Sequence, residues 1–339
     1  MINLRYHIVS ITAVFLALGI GLTLGSTFLD RVTVDTLKNQ LNTVQDRVDA
    51  TEARNGVLAD QVNALTDRDE ALSTELPERL LAGHLDAVPV LVIATRGSDE
   101  DLVRSTVQAL AGAGARVTGT WWLTDRWLLD DRDQADQLAS VLELSSTRDP
   151  DRLRRVAAIR LAELLNGASA VPPADPTAQP ASTPPDGEPA IVTALKAAGF
   201  LDYEAVAGSG DRRVLLPGSS ARYVIVSGAL PDSGPQLMAA SLLAEIVADG
   251  TAPVVAAQGE ADLQGPDGPA SDDARHTTFV GPLREGELTR ERLSTVDALD
   301  TAAGLAAVVL ALEDLGAGTV GHYGSAESAA RLLPAEPAG

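Results

Sequence analysis

VPVLVIAT, running from Val88 to Thr95, is the stretch on which the fold turns. It is a short apolar run, and three more follow it: ARVTGTWWL (Ala115 to Leu123), ARYVIVSG (Ala221 to Gly228) and APVVAAQ (Ala252 to Gln258). Helical patterns lie between them, near Asp99 to Ala111, Asp149 to Leu165, Pro189 to Ala198, Pro235 to Ala248 and Thr301 to Leu315. Apolar strands alternating with helices imply a largely parallel sheet covered on both faces. Apolar residues make up 45 % of the chain but aromatics only 3 %, so alanine, valine and leucine must fill the core, which suits helices laid on such a sheet. The expected domain is a three-layer, Rossmann-like α/β unit spanning residues 77–333.

Within that unit, Ser98 and Asp101 have the form of a capping box, and Asp149-Pro150 the form of an N-cap and first turn. Residues 167–189 are rich in Pro, Ala, Ser and Thr and cannot bury enough apolar surface to order themselves, so they read as a disordered insertion. Residues 259–275 read as a mobile acidic loop and residues 334–339 as an unstructured tail.

Upstream of Pro77 one heptad register holds from Val34 to Leu76. Its d positions include Leu37, Val44, Leu58, Leu65 and Leu72; its a positions include Leu41, Val48, Asn55 and Val62. Leucine-rich d with β-branched a favours two parallel strands, and a polar Asn55 at a fixes register. Arg47 at g faces Glu52 at e of a parallel partner, an attractive pairing. Residues 30–76 are therefore expected to form the stalk of a homodimer, lifting the domain roughly 60 Å at 1.5 Å per residue. Asp69 at a suggests that the pair splays near the domain.

Further upstream, Ile8 to Leu29 carries no charge, and roughly 20 apolar residues suffice to cross a bilayer. Gly25-Ser26 makes a poor cleavage site, so the segment reads as an uncleaved signal anchor, with residues 1–7 a cytoplasmic tail and the remainder extracytoplasmic. Ala13, Ala17, Gly21 and Gly25 recur every four residues and share one helix face, the spacing that lets two membrane helices approach closely.

The formal charge of −21 repels phosphate backbones and excludes nucleic acid as a partner. Cysteine is absent, which excludes disulfides, thiolate metal sites and a cysteine nucleophile. His7, His84, His276, His322, Met1 and Met238 are scattered, without the clusters that soft metals require. There is no P-loop and no GxSxG, and Gly112-Ala-Gly114 follows a helix, where it reads as a C-cap and turn. No catalytic, cofactor or metal residues are assigned, and the chain is expected not to be an enzyme.

Three features rise above background. Trp121, Trp122 and Trp127 cluster at the end of the second strand, either as a docking patch or as packing over the sheet end. Ser294, Thr295 and Asp297, with Asp300, precede an alanine-rich helix and read as its cap, with ligand contact as the alternative. Gly321-His-Tyr-Gly324 reads as a tight turn displaying His322 and Tyr323, with a site as the alternative.

The opening INLRYHIVSITAVFLALGIGLTLGS, together with RVTGTWWLTD, STVDALDTAAG and GHYG in the same order, resembles the MctB family of envelope copper transporters, which includes SteB-type membrane proteins. The resemblance implies an envelope location and either copper efflux and homeostasis or, for SteB-type members, partnership with a second envelope membrane protein in cell-wall remodelling and cell separation. Copper enters only through this resemblance. One apolar helix cannot enclose a polar path, which favours a membrane-anchored dimeric scaffold or regulatory partner.

Overall fold

The computed structural model describes the backbone of residues 4–144, 147–169, 189–205, 220–228, 233–249, 252–259, 279–326 and 328–334. The expected insertion and acidic loop fall almost entirely outside these residues, although the helix before the insertion runs past Gly167 to Ser169. The chain divides into two compact units, residues 1–67 and 68–339.

The first unit is helical from Leu4 onward. Helix α1 (Leu4–Leu80) carries the uncharged segment and the heptads without a break. Within it, Arg5–Gly25 is long and apolar enough to cross a membrane by length and composition. Side chains are described for residues 5–25, 41 and 43–65 of this helix.

The second unit is built on a sheet with strand order β3-β2-β1-β4-β5-β6-β7 among the described residues. Its strands are β1 (Pro89–Thr95), β2 (Arg116–Leu123), β3 (Leu201–Glu204), β4 (Arg222–Val226), β5 (Val254–Ala257), β6 (Ser294–Val296) and β7 (His322–Tyr323). All neighbours pair in parallel except β2 with β3. The central strand β1 is the run Val88 to Thr95, and its alternation shows why it sits there. Leu91 and Ile93 join one core cluster, Val90, Val92 and Ala94 the other, so both faces are buried.

On the first face lie α3 (Arg132–Val141), α4 (Pro150–Ser169), α5 (Ala190–Ala197), α6 (Gly234–Asp249) and α7 (Val280–Glu285). The second is covered by α2 (Glu100–Gly112) and α9 (Ala302–Gly316). The short helix α8 (Glu287–Arg292) follows α7. The arrangement is three-layered and mostly parallel.

Two capping assignments change. The α2 N-cap is Asp99, whose carboxylate accepts from the Asp101 amide at 2.9 Å, whereas Ser98 pairs its hydroxyl with Thr95 at 2.8 Å. Asp99 is the extended residue directly before the first helical one, so its carboxylate and not the Ser98 hydroxyl meets the first-turn amide. The α9 N-cap is Thr301, whose hydroxyl accepts from Gly304 N at 3.0 Å, so Ser294 to Asp297 caps nothing. Asp149 does cap α4, accepting from Asp151 N at 3.2 Å, and Gly114 takes a left-handed φ of 92° after α2, as a helix terminus requires.

Candidate functional site

Ser294-Thr295-Val296 forms a strand because β5 on one side and β7 on the other supply its hydrogen bonds. Ser294, Thr295 and Asp297 are all fully buried at or just beyond it. The Ser294 hydroxyl accepts from Gly321 N at 3.1 Å, which seats β7 beside β6. Gly321-His-Tyr-Gly324 is therefore an edge strand and its flanks, not a displayed turn. Glycine is needed at Gly324, where φ is 135° and an added Cβ would lie 1.9 Å from Asp297 Oδ1.

The centre of the arrangement is an ion pair between α7 and the end of β6. Arg284 is 5 % exposed and Asp297 0 %, and Arg284 Nη1 donates to Asp297 Oδ2 at 2.7 Å. The remaining Arg284 donors reach Thr295 Oγ1 at 2.7 Å, Ser328 Oγ at 3.0 Å and the Tyr323 carbonyl at 2.8 Å. Asp297 Oδ1 accepts from Ser325 N at 2.6 Å and Ala326 N at 3.2 Å. One buried pair thus ties α7, β6, β7 and the segment after β7 together. Burial pushes the Arg284 guanidinium below its ordinary value, and the Asp297 carboxylate opposes that shift.

His322 extends the network. Its Nδ1 lies 2.9 Å from Thr295 Oγ1 and its Nε2 3.0 Å from the Arg290 carbonyl. Burial lowers the affinity of the imidazole for a proton; the Arg290 carbonyl raises it, and the Arg284 and Arg290 cations lower it further. On the opposite side of the strand, Tyr323 donates to Asp314 Oδ2 at 3.4 Å, and burial pushes its phenol above the ordinary range. The Thr295–His322 distance is that of a nucleophile and its base. Thr295 is fully buried, however, so its hydroxyl meets no solvent and serves the network instead.

Of the residues singled out in sequence, Ser294, Thr295, Asp297, His322 and Tyr323 come together here. Asp300 stays on the surface. Trp121 and Trp122 stand on β2, separated from β6 by three strands. Trp121 and Trp127 are buried in the core, so packing describes them. Trp122 is almost as buried; its indole donates to Glu204 at 3.0 Å and the Arg96 guanidinium lies 4.6 Å from its ring. Arg284 was not singled out, although it holds the cluster together.

The other candidate surface lies on α1. Leu41, Val44, Val48, Leu58, Val62 and Leu65 are exposed by 44 % to 70 %. Asn55 lies among them, exposed too, while Leu37 and Leu72 fall where side chains are not described. Ala13, Ala17, Gly21 and Gly25 are exposed likewise, and a Cβ at either glycine would meet nothing within 4 Å. Among the described residues no three His, Cys, Asp or Glu side chains gather as a metal-ligand set. His84 pairs with Glu313 at 2.6 Å.

A family model described as copper transport outer membrane protein, MctB, matches residues 1–334. Among curated relatives, the copper transporter MctB of Mycobacterium tuberculosis (strain ATCC 25618 / H37Rv) is 28 % identical over 339 residues, spanning 97 % of this chain and 98 % of that protein. The protein of the same name from Mycobacterium leprae (strain TN) is 28 % identical over 343 residues, spanning 98 % of this chain and 99 % of the relative.

Proposed function

The chain belongs to the MctB family, and from that premise we propose that it serves copper homeostasis in the cell envelope as a membrane-anchored homodimeric scaffold. The observation that carries this reading is the seam on α1: apolar side chains at heptad spacing, exposed to solvent along one continuous helix. A narrow a/d stripe of this kind is stable in water only when a second helix covers it, and the parallel pattern makes a second copy the natural cover. The small-residue face at Ala13, Ala17, Gly21 and Gly25 continues the same approach within lipid. The α/β unit then stands outside the cytoplasm and recruits a second envelope membrane protein, with copper as cargo of the assembly. No catalytic step is assigned to it. The relatives' names speak for copper handling, and the cell-separation role of SteB-type members is carried no further.

The full-length chain in detergent should sediment with the mass of two copies. Leu58→Asp with Val62→Asp should convert it to one, since each charge would enter the seam. A strain lacking the chain should lose copper tolerance, and the wild type but not the double variant should restore it. A single-copy mass for the wild type across the accessible concentration range would overturn the dimer. Unchanged tolerance in the deletion strain would overturn the copper reading separately.

A further inference from the structure

The hydrogen bonds around His322 favour one proton arrangement. Thr295 Oγ1 already accepts from Arg284 Nε at 2.7 Å, so its own hydrogen is free to donate to His322 Nδ1 at 2.9 Å. Nδ1 is then an acceptor, and the ring proton sits on Nε2, donating to the Arg290 carbonyl at 3.0 Å. The neutral Nε2–H tautomer satisfies every partner. A second proton would make Nδ1 a donor to the second lone pair of Thr295 Oγ1, and the buried hydroxyl hydrogen would lose the acceptor it has on Nδ1.

The surrounding charges act in the same direction. Arg284 approaches from α7 and Arg290 from α8, both cationic. The nearby anion is Asp297 on the β6 side, whose Oδ2 is engaged by Arg284 and whose Oδ1 is held by Ser325 and Ala326. On the other side of β7, Asp314 of α9 faces Tyr323, together with Arg331.

What this holds in place has few other anchors: the buried Tyr323 ring, the Thr295 and Asp297 amides, which donate to the Gly321 and Tyr323 carbonyls at 3.1 Å, and Arg284 on the Tyr323 carbonyl. Strand β7 is two residues long and pairs with β6 only at Thr295↔His322 and Val296↔Tyr323. The strap after it attaches through Ala330 N to the His322 carbonyl at 2.9 Å, Gly324 N to the Arg331 carbonyl at 3.0 Å, and the contacts to Arg284 and Asp297. Leu332 and Leu333 at its end are exposed and add little apolar burial. Beyond the Tyr323 ring its docking is polar, and His322 is the group in it that changes charge near neutral pH.

We propose that His322 is a proton-sensitive latch: neutral, it locks β7 and the strap residues Ser325, Ala326 and Ser328 to Arg331 onto the sheet edge, and protonated, it lets them come away. The sign follows from the lowered proton affinity of the docked ring. Above an ordinary histidine value of about 6.5 both docked and released forms are neutral and the latch is closed. As the pH falls below that value the released form takes up the proton first, and docking weakens until the docked ring also protonates.

Hydrogen exchange on the full-length protein in lipid nanodiscs tests this. Corrected for intrinsic rates, protection of the Ser325, Ala326 and Ala330 amides should fall about tenfold or more from pH 7.5 to pH 5.0. In His322→Asn the amide oxygen takes the Nδ1 position without titrating, and that pH dependence should vanish. Equal pH dependence in both proteins overturns the latch. Nitrogen NMR of the wild type reads it independently of the variant's folding: a proton on Nε2 at pH 7.5 and a titration midpoint below 6.5 support it, and a proton on Nδ1 or a midpoint at or above 6.5 overturns it.

Discussion

Asp297→Ala should cost the α/β unit about 3–5 kcal/mol of unfolding free energy, because it strands the Arg284 guanidinium in a site 5 % exposed. The loss is larger than that of a surface pair, for which the median is about 0–1 kcal/mol. It also leaves the Ser325 and Ala326 amides without their acceptor. Asp297→Asn separates the two effects. Its side-chain oxygen still receives those amides while the charge is gone, so its cost should lie at the lower end, about 3 kcal/mol, and exceed half that of Ala. Denaturation followed by tryptophan fluorescence measures both. A loss under about 1 kcal/mol for Asp297→Ala would mean that water reaches Arg284 and that the pair is not the clamp described.

Trp127→Ala should cost about 3–5 kcal/mol for a different reason, the removal of a large buried side chain. Trp127 sits in the 3-10 turn Asp125–Leu128 after β2, with its indole donating to the Phe200 carbonyl at 2.7 Å and its ring 5.1 Å from the Phe200 ring. Its own carbonyl accepts from Arg154 of α4 at 3.0 Å, and Gly234 of α6 packs so close that a Cβ there would lie 2.5 Å from the Trp127 carbonyl carbon. The turn therefore joins β2, β3, α4 and α6. Trp127→Phe keeps most of the volume and loses the indole donor, leaving the Phe200 carbonyl the Thr124 N–H at 3.3 Å, so about 0.5–1.5 kcal/mol is expected. Circular dichroism during denaturation reports both variants. Equal costs for Ala and Phe would assign the effect to the hydrogen bond alone.

These residues show where local sequence carries structural information. β1, β4 and β5 were legible because their apolar side chains are buried on both sheet faces, which leaves a nearly continuous hydrophobic run, and β2 through its buried end, residues 121–123. LDYE, STV and HY were not, since a strand of two to four partly polar residues takes its conformation from the neighbour it pairs with. Asp297 stood out in the sequence as a cap, but its partner lies at Arg284, in a segment whose run of charges resembles any solvated helix. Nothing local marks one arginine among Arg284, Arg290 and Arg292 as the buried one. The gathering of Thr295, His322 and Tyr323 likewise follows from strand order, which no periodicity encodes.

Strand order has a further consequence for biogenesis. β1 sits mid-sheet, yet one of its two neighbours, β4, begins at Arg222, far along the chain. At the usual synthesis rate of about 5–20 residues per second, roughly ten seconds elapse between the emergence of the two. Throughout that interval one flank of β1 offers bare N–H and C=O groups beside an apolar surface, a template for adhesion to neighbouring nascent chains. A factor that shelters this flank during synthesis would act between Thr95 and Arg222, and slowing synthesis across that stretch would lengthen the period of risk.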